Sequence, residues 1–281
     1  MAKEIVETRV REKKKIKFSF SGISLLLIAV VCTFANFFAP YDPYAIGTAD
    51  PFAGPSLAHF FGTDNLGRDL FSRVIYGGRT TLFIALSATA IALILGTTWG
   101  VLAGVRKGWA DEVLMRTADA VMAIPAILFA LVCISALGAS VGSLLVVAGL
   151  LLSPATAKMA RSAIVIELES DYVVAAIASG LTRTRLIWRE VLPNIASQLL
   201  VQFSINAASA VMLEATLSFI GLGIQPPATS WGTLILQGYA TIWNSYWFVL
   251  FPALTVTITI LLFNAYGERL RISMDSRKSS A

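Results

Sequence analysis

Apolar residues along the chain gather into six runs, each bounded by Gly, Pro or charged positions. A hydrocarbon core about 30 Å thick calls for roughly 20 helical residues rising ~1.5 Å each. The runs at 22–39, 80–105, 121–137, 141–157, 195–222 and 248–265 meet or approach that length. The pattern predicts six transmembrane helices in an all-α integral membrane protein. The first run follows a basic segment, as a secretory signal would. The residues after it, FANFFAPYDP, offer no A-x-A-like cleavage site, so a retained membrane helix is expected.

Composition agrees. Of the 281 residues, 56% are hydrophobic and 14% charged, too little polar surface to clothe a water-soluble globule, which carries about 25% charged residues. The net charge of +5 becomes informative once it is distributed over the loops. Seven Lys/Arg precede the first run, three lie between runs two and three, five between runs four and five, and four follow run six. The opposite side holds only Arg68, Arg73 and Arg79. Because basic loops stay inside, both termini are expected in the cytoplasm, and the basic excess implies a lipid bilayer rather than a nucleic-acid partner. The organisation expected is a basic cytoplasmic segment over 1–21, a membrane domain over 22–268 and a cytoplasmic tail over 269–281.

Candidate chemistry is sparse. Cys32, Cys133 and His59 are the only residues of their kinds, which argues against a metal site, a disulfide framework or a Cys/His nucleophile. No G-x-x-x-x-G-K-[ST], H-E-x-x-H or G-x-S-x-G occurs. The chain is not expected to be an enzyme, and ATP, if it drives this protein, is bound by another chain.

The loop between runs four and five, SDYVVAAIASGLTRTRLIWREVLPN (170–194), is the most informative segment. Ser170 or Asp171 can cap a short helix carrying Tyr172, Ala175, Ala176 and Ser179, and Gly180 can end it in a left-handed conformation. Thr182 or Thr184 can cap a second helix with Arg185 and Arg189 at i,i+4, before Pro193 and Asn194 stop it. This helix, glycine turn, helix could insert into a partner's groove or rest on lipid headgroups.

Other segments carry weaker signals. Gly96, Gly100 and Gly104 form a doubled G-x-x-x-G, suited to close helix packing within the chain or between subunits. Residues 68–76 suggest a short interfacial helix that frames a port or anchors the second span. Glu214 is a lone carboxylate in an apolar span, with a structural hydrogen-bonding role at an outer gate favoured over proton coupling. The uncharged segment 221–246, with Gln225, paired prolines and Trp231, is expected on the outer surface near a channel mouth.

The pattern Tyr172-x-x-Ala175-Ala176-x-x-x-Gly180, followed by Leu192-Pro193-Asn194, resembles the EAA loop of ABC-importer permeases. FGTDNLGRDLFSRVIYGGR (61–79), EATLSFIGLGIQPPATSWG (214–232), Arg116-x-x-Asp119 with Ile124-Pro125, and the ending Phe263-Asn264 to Asp275-x-Arg277 resemble the C-type permease subunit of dipeptide, oligopeptide and nickel ABC importers. The likeness covers the chain from about residue 20. It implies an ABC-importer permease-like bundle with a cytoplasmic docking loop, translocating peptides or nickel and other metal chelates by alternating access. It also implies partners: a second homologous permease, two ABC ATPase subunits holding ATP and Mg, and an extracytoplasmic solute-binding protein. Val174 stands where the family commonly has the motif's Glu, and Glu190 where it often has His. The alternative, a stand-alone secondary transporter or channel, commonly brings internal repeats and paired intramembrane charges, for which the sequence offers no convincing repeat and one deep acid.

Overall fold

The computed structural model describes residues 20–106 and 108–278; the basic segment to residue 19, Lys107 and residues 279–281 lie outside the described residues, as do the side chains of 275–278. Helices are the regular elements here, with one isolated bridge between Thr63 and Asp69. In order they are α1 (Phe20–Thr33), α2 (Ala35–Phe38), α3 (Leu70–Arg106), α4 (Trp109–Ala123), α5 (Ala126–Leu137) and α6 (Val141–Leu168). There follow α7 (Asp171–Ala178), α8 (Arg183–Leu186), a π turn (Ile187–Val191), α9 (Leu192–Phe219), α10 (Trp231–Ala240) and α11 (Trp247–Lys278). Lipid offers no partner for backbone N–H and C=O groups, so spanning segments satisfy them internally.

By length and composition, four helices among the described residues can cross a membrane unaided: α3, α6, α8 running through to α9, and α11. A fifth is reached if α4 and α5, bent by 89°, form one broken span, and the 14-residue α1 is shorter than a full crossing. The expected six uniform spans therefore become four unbroken ones, a broken pair and a short apolar helix. Pro125 causes the break in the run expected at 121–137. The residue before a proline avoids the helical region, and Ile124 is extended at ψ 129°.

Three other expectations change. The second span begins at Leu70, absorbing the interfacial helix expected over 68–76, because Gly77 and Gly78 do not break it. A Cβ on Gly78 would lie 2.5 Å from Cys32 Sγ and 2.7 Å from the Trp231 ring, so the small residues accommodate neighbours inside a continuous helix. The fourth span continues to Leu168, its Lys158 and Arg161 being paired with Asp119 and Asp111 of α4. Residues 269–278, expected as a tail, prolong α11.

The closest helix pairing is α3 on α6. Cβ atoms built on Gly96, Gly100 and Gly104 would meet Thr156 Cβ at 2.5 Å, the Ala157 carbonyl at 2.6 Å and Ile164 at 3.1 Å. Gly149 of α6 answers them, its Cβ position lying 2.6 Å from Ile91. The glycine stripe is thus an intramolecular seam. Its register rises together on both helices, Gly149 beside Ile91 and Ile164 beside Gly104, so α3 and α6 are parallel. The α4–α5 pair must carry the chain back between them.

Further contacts define two ends of the bundle. At one end Gly22 meets Tyr266, and Val105 joins the cluster of Ile164, Val173, Leu186 and Ile195. At the other, Phe61 stacks on Phe251 at 4.1 Å, and Gly78 faces Trp231. This second end carries a cap, residues 40–69. The Asp64 carboxylate accepts from the backbone of Leu66 (2.8 Å) and Arg68 (3.0 Å), from Arg68 Nε (2.6 Å) and from buried Arg73, which also donates to Gln237 of α10 at 3.1 Å. Asp69 starts α3 by accepting from Ser72 N and Oγ, both at 2.7 Å, while its other oxygen lies 2.8 Å from His59 Nδ1.

The seam makes a direct prediction. Gly100→Leu is expected to lower thermal stability of the detergent-solubilised protein by about 1–3 kcal/mol, the usual cost of overpacking. Gly142→Leu is expected to leave melting unchanged, because its nearest neighbour is Ser140 Oγ at 3.8 Å. Equal melting of the two variants would contradict the close α3–α6 approach.

Candidate functional site

Between α6 and α9 the chain folds into a knuckle. Asp171 opens α7 in its first turn, where a carboxylate favours the helix N-terminus. Ser170 occupies the N-cap position, but its hydroxyl donates to the Glu167 carbonyl at 2.6 Å rather than capping. Gly180 turns the chain with φ +83°, the left-handed conformation expected of it, and nothing lies within 4 Å of its Cβ position. Thr182 starts α8 without a side-chain cap.

The second helix does not stop at Pro193. It passes through the π turn into α9, and Pro193 sits in the first turn of that helix. The wider π turn displaces the upstream carbonyls that a proline ring would strike, so the helix continues.

Val173, Leu186, Val191 and Ile195 are buried beneath the knuckle with Ile164, and Ala176 packs against them. Tyr172 and Asn194, one at each end of the loop, meet at an acid that sequence reasoning missed. Glu167 Oε1 accepts from the Tyr172 hydroxyl at 2.8 Å and from Asn194 Nδ2 at 3.0 Å, and Asn194 Nδ2 also donates to the Tyr172 oxygen at 3.0 Å. Glu167 lies just before the motif, at the end of α6, so a search confined to 170–194 could not find it. Burial raises the Tyr172 phenol above its ordinary pKa, with the bond to Glu167 as the next cause.

The outward surface is apolar and basic. Val174 and Ile177 are 62% and 52% exposed, Trp188 is 68% exposed, and Ala175, Ser179, Arg185 and Arg189 are exposed around them. Ser179 Oγ donates back to the Ala175 carbonyl at 2.8 Å, leaving the α7 surface small and smooth. Trp188 was not singled out from sequence; its position between Arg185 and Arg189 was the available signal.

At the far end, Glu214 and Trp231 come together and Gln225 does not join them. Glu214 is buried, accepts from Ser218 Oγ at 2.7 Å, and has Ser230 and Thr81 beside it. Trp231 is fully buried, its indole N–H donating to the Val74 carbonyl at 2.8 Å and its backbone N–H to Thr81 Oγ1 at 3.1 Å. Gln225 is exposed and directs its amide to the carbonyls of Gly221 and Gly223, both at 3.3 Å. Midway, Gln202 donates to Asn206 and Asn206 to Thr156, at 2.9 and 2.8 Å, tying α9 to α6 through a polar chain that sequence reasoning also missed. Among the described residues no group of His, Cys, Asp and Glu could hold a metal ion.

These features define the class: a multi-pass, all-α membrane protein with a folded helical knuckle at one end. The chain belongs to the family of binding-protein-dependent transport system inner membrane components, which matches residues 96–277. A di/tripeptide transport system permease protein of Pseudomonas aeruginosa is 35% identical over 272 residues, covering 94% of this chain and 90% of its own. A glutathione transport system permease protein of Pectobacterium atrosepticum is 32% identical over 261 residues, covering 92% and 87% respectively. A dipeptide transport system permease protein of Alkalihalophilus pseudofirmus is 33% identical over 274 residues, covering 96% and 89%. In fold, the chain resembles one from an inward-facing structure of the MetNI methionine ABC transporter, with a TM-score of 0.61 at 18% identity over 72% of this chain and 97% of that one.

The Glu167 node yields a pH prediction. Because the folded-state phenol is raised, its contribution is whole below the ordinary tyrosine value near 10 and is lost as pH climbs through the raised one. Limited proteolysis of the knuckle is expected to accelerate at strongly alkaline pH in the native chain, with that step missing in Tyr172→Phe. Glu167→Ala removes the acceptor that Tyr172 and Asn194 share and is expected to cost about 0.5–1.5 kcal/mol, read as faster cleavage at neutral pH.

Proposed function

We propose that this chain is a permease subunit of an ATP-driven, binding-protein-dependent importer of peptides. The observation that carries the proposal is the folded knuckle with its exposed surface of Val174, Ala175, Ile177 and Trp188, flanked by Arg185 and Arg189. Such a surface suits insertion into a groove by apolar contact, with the arginines available to acidic rims. Val174 provides no carboxylate for a charge-assisted contact, so docking rests on shape and on the two arginines. Two ABC ATPase subunits, holding ATP and Mg, are the partners proposed for the knuckle; this chain has no nucleotide loop of its own.

A second, homologous permease completes the conduit, and an extracytoplasmic binding protein delivers solute at the cap end. Closure of the ATPases on ATP draws the knuckles together and rocks the helices, so that the conduit opens alternately to the two sides. Peptides are the proposed cargo because the curated relatives include di/tripeptide, dipeptide and glutathione permeases. Six crossings are proposed, with the α4–α5 pair as one and α1 with α2 as another, and with both termini and the knuckle in the cytoplasm. The meeting of Gly22 with Tyr266 at the knuckle end and the excess of basic residues there support that orientation.

Two experiments test this reading. In the reconstituted complex, Gly180→Val is expected to lower ATP-driven peptide uptake by roughly tenfold while ATP hydrolysis persists, because a β-branched residue at positive φ strains the turn by ~1–3 kcal/mol. Normal coupled uptake by that variant would overturn the docking role. In intact cells, a cysteine at Arg185 is expected to be shielded from membrane-impermeant thiol reagents and one at Thr229 to be labelled. The reverse pattern would invert the orientation.

A further inference from the structure

Helix α9 carries a face that the rest of the fold leaves open. Gln198, Gln202, Ile205, Ser209, Met212 and Thr216 recur at alternating spacings of four and three, which sets them one above another on a helix. Met212 and Ile205 are 62% and 44% exposed, and the four polar members are half-buried. The flanks of this face are occupied. Asn206 donates to Thr156 of α6 at 2.8 Å on one side, and on the other a Cβ on Gly267 of α11 would lie 3.1 Å from Ser204. Glu214 is buried away from it, bonded to Ser218, so the face is uncharged along its length.

From Gln198 to Thr216 the face runs roughly 27 Å at ~1.5 Å per residue, nearly the full depth of a hydrocarbon core about 30 Å thick. A hydroxyl can live in lipid by returning its bond to its own helix, as Thr216 does to the Met212 carbonyl at 2.8 Å. An amide cannot, because it has two N–H donors and a carbonyl acceptor to satisfy. Gln202 donates to Asn206 at 2.9 Å, and Gln198 Oε1 is buried with no hydrogen-bond partner among the described residues. Unpaired amides are costly in hydrocarbon, so polar side chains in a span turn toward protein or a water-filled cavity. Helix α11, by contrast, presents Leu254, Ile258 and Leu261 outward, a face suited to lipid. Beyond Thr216 the α9 face ends at Phe219, whose ring meets that of Tyr239 edge-on at 5.7 Å.

We infer that this face of α9 is a wet wall of the conduit and that its uncharged amides and hydroxyls hold the peptide groups of the passing solute. The inference rests on the importer reading above and names the residues that meet the cargo. Glutamine offers both a donor and an acceptor, as a peptide group does, so Gln198 and Gln202 complement a main chain of any sequence. Ile205 and flexible Met212 receive apolar side chains of varied shape. Without a fixed charge, the wall discriminates little between acidic, basic and neutral peptides.

The test has two arms, both on the full complex in membrane vesicles. In the first, single cysteines at Gln202, Ser209 and Thr216, and at Leu254 and Leu261 as controls, are exposed to a charged methanethiosulfonate with and without ATP, labelling being counted above that of the native chain. The three α9 positions are expected to react in at least one nucleotide state and the two α11 positions to stay silent. Silence at all three α9 positions in every state, which lipid or a tightly packed partner would produce, overturns the wet wall, as does equal labelling of the controls. In the second arm, Ser209→Asp is expected to lower uptake of an acidic tripeptide relative to a neutral one by about fivefold, the order of one exposed charge interaction. Ser209→Asn is expected to leave that ratio unchanged. Gln202→Glu replaces Ser209→Asp should the latter fail to assemble. An unchanged ratio in the acidic variant would overturn solute contact. Labelling needs no transport, so absence of peptide uptake by the native complex would sink the importer reading while the first arm still decided whether this face is wet.

Discussion

The contact on which the fold turns is the seam between α3 and α6. Between helices in lipid there is little hydrophobic drive, because the surrounding tails are as apolar as leucine, so association depends on close van der Waals approach. Gly96, Gly100 and Gly104 permit that approach along about two turns of α3, and Gly149 permits it from the other side. Polar bonds add direction: Asn206 reaches Thr156 beside Gly96, so α9 is fastened at the point where the seam is tightest. Because the paired helices are parallel, the seam also dictates that the intervening chain returns across the bundle. It does so as two short helices at 89°, with Pro125 at the corner and the ion pairs of Asp111 and Asp119 holding α4 against α6.

Around this seam the two ends of the bundle are built by different means. The cap end is rigidified by buried charge. Asp64 holds Arg73, and Arg73 in turn binds Gln237, so the start of α3, the cap loop and α10 are fixed to one another. A buried carboxylate and guanidinium are costly to desolvate, and here the backbone N–H groups of Leu66 and Arg68 supply further bonds to the Asp64 carboxylate. The knuckle end is held by an apolar cluster beneath and by the Glu167 node at its base, while its outer face is left uncovered. The knuckle is thus firmly founded on α6 and α9, the helices it joins, and under the docking role proposed above a push on it would pass into both.

The motif of the knuckle was legible as a motif, and its turn at Gly180 followed from the need for positive φ. Its anchoring was not. Glu167 lies outside the loop in sequence, and Tyr172 and Asn194 are 22 positions apart, so only folding brings all three together. Pro193 misled in the same way: by local rules it ends a helix, yet the preceding π turn lets the helix pass. Glu214 and Trp231 were each noticed separately, as a costly acid and an interfacial aromatic. The fold makes them neighbours through Thr81 of α3.

What the sequence determined by itself was the solvent of the protein, its all-helical character and the family motif, because these depend on composition, local periodicity and short spacing. The number of continuous spans, the direction of α3 relative to α6, the intramolecular fate of the glycine stripe and the burial of Arg73 with Asp64 were decided by tertiary structure. Each depends on which distant surface arrives opposite a residue. A glycine stripe specifies only that something can come close, and a proline only that a bond is missing; packing decides what fills the space and whether the helix survives.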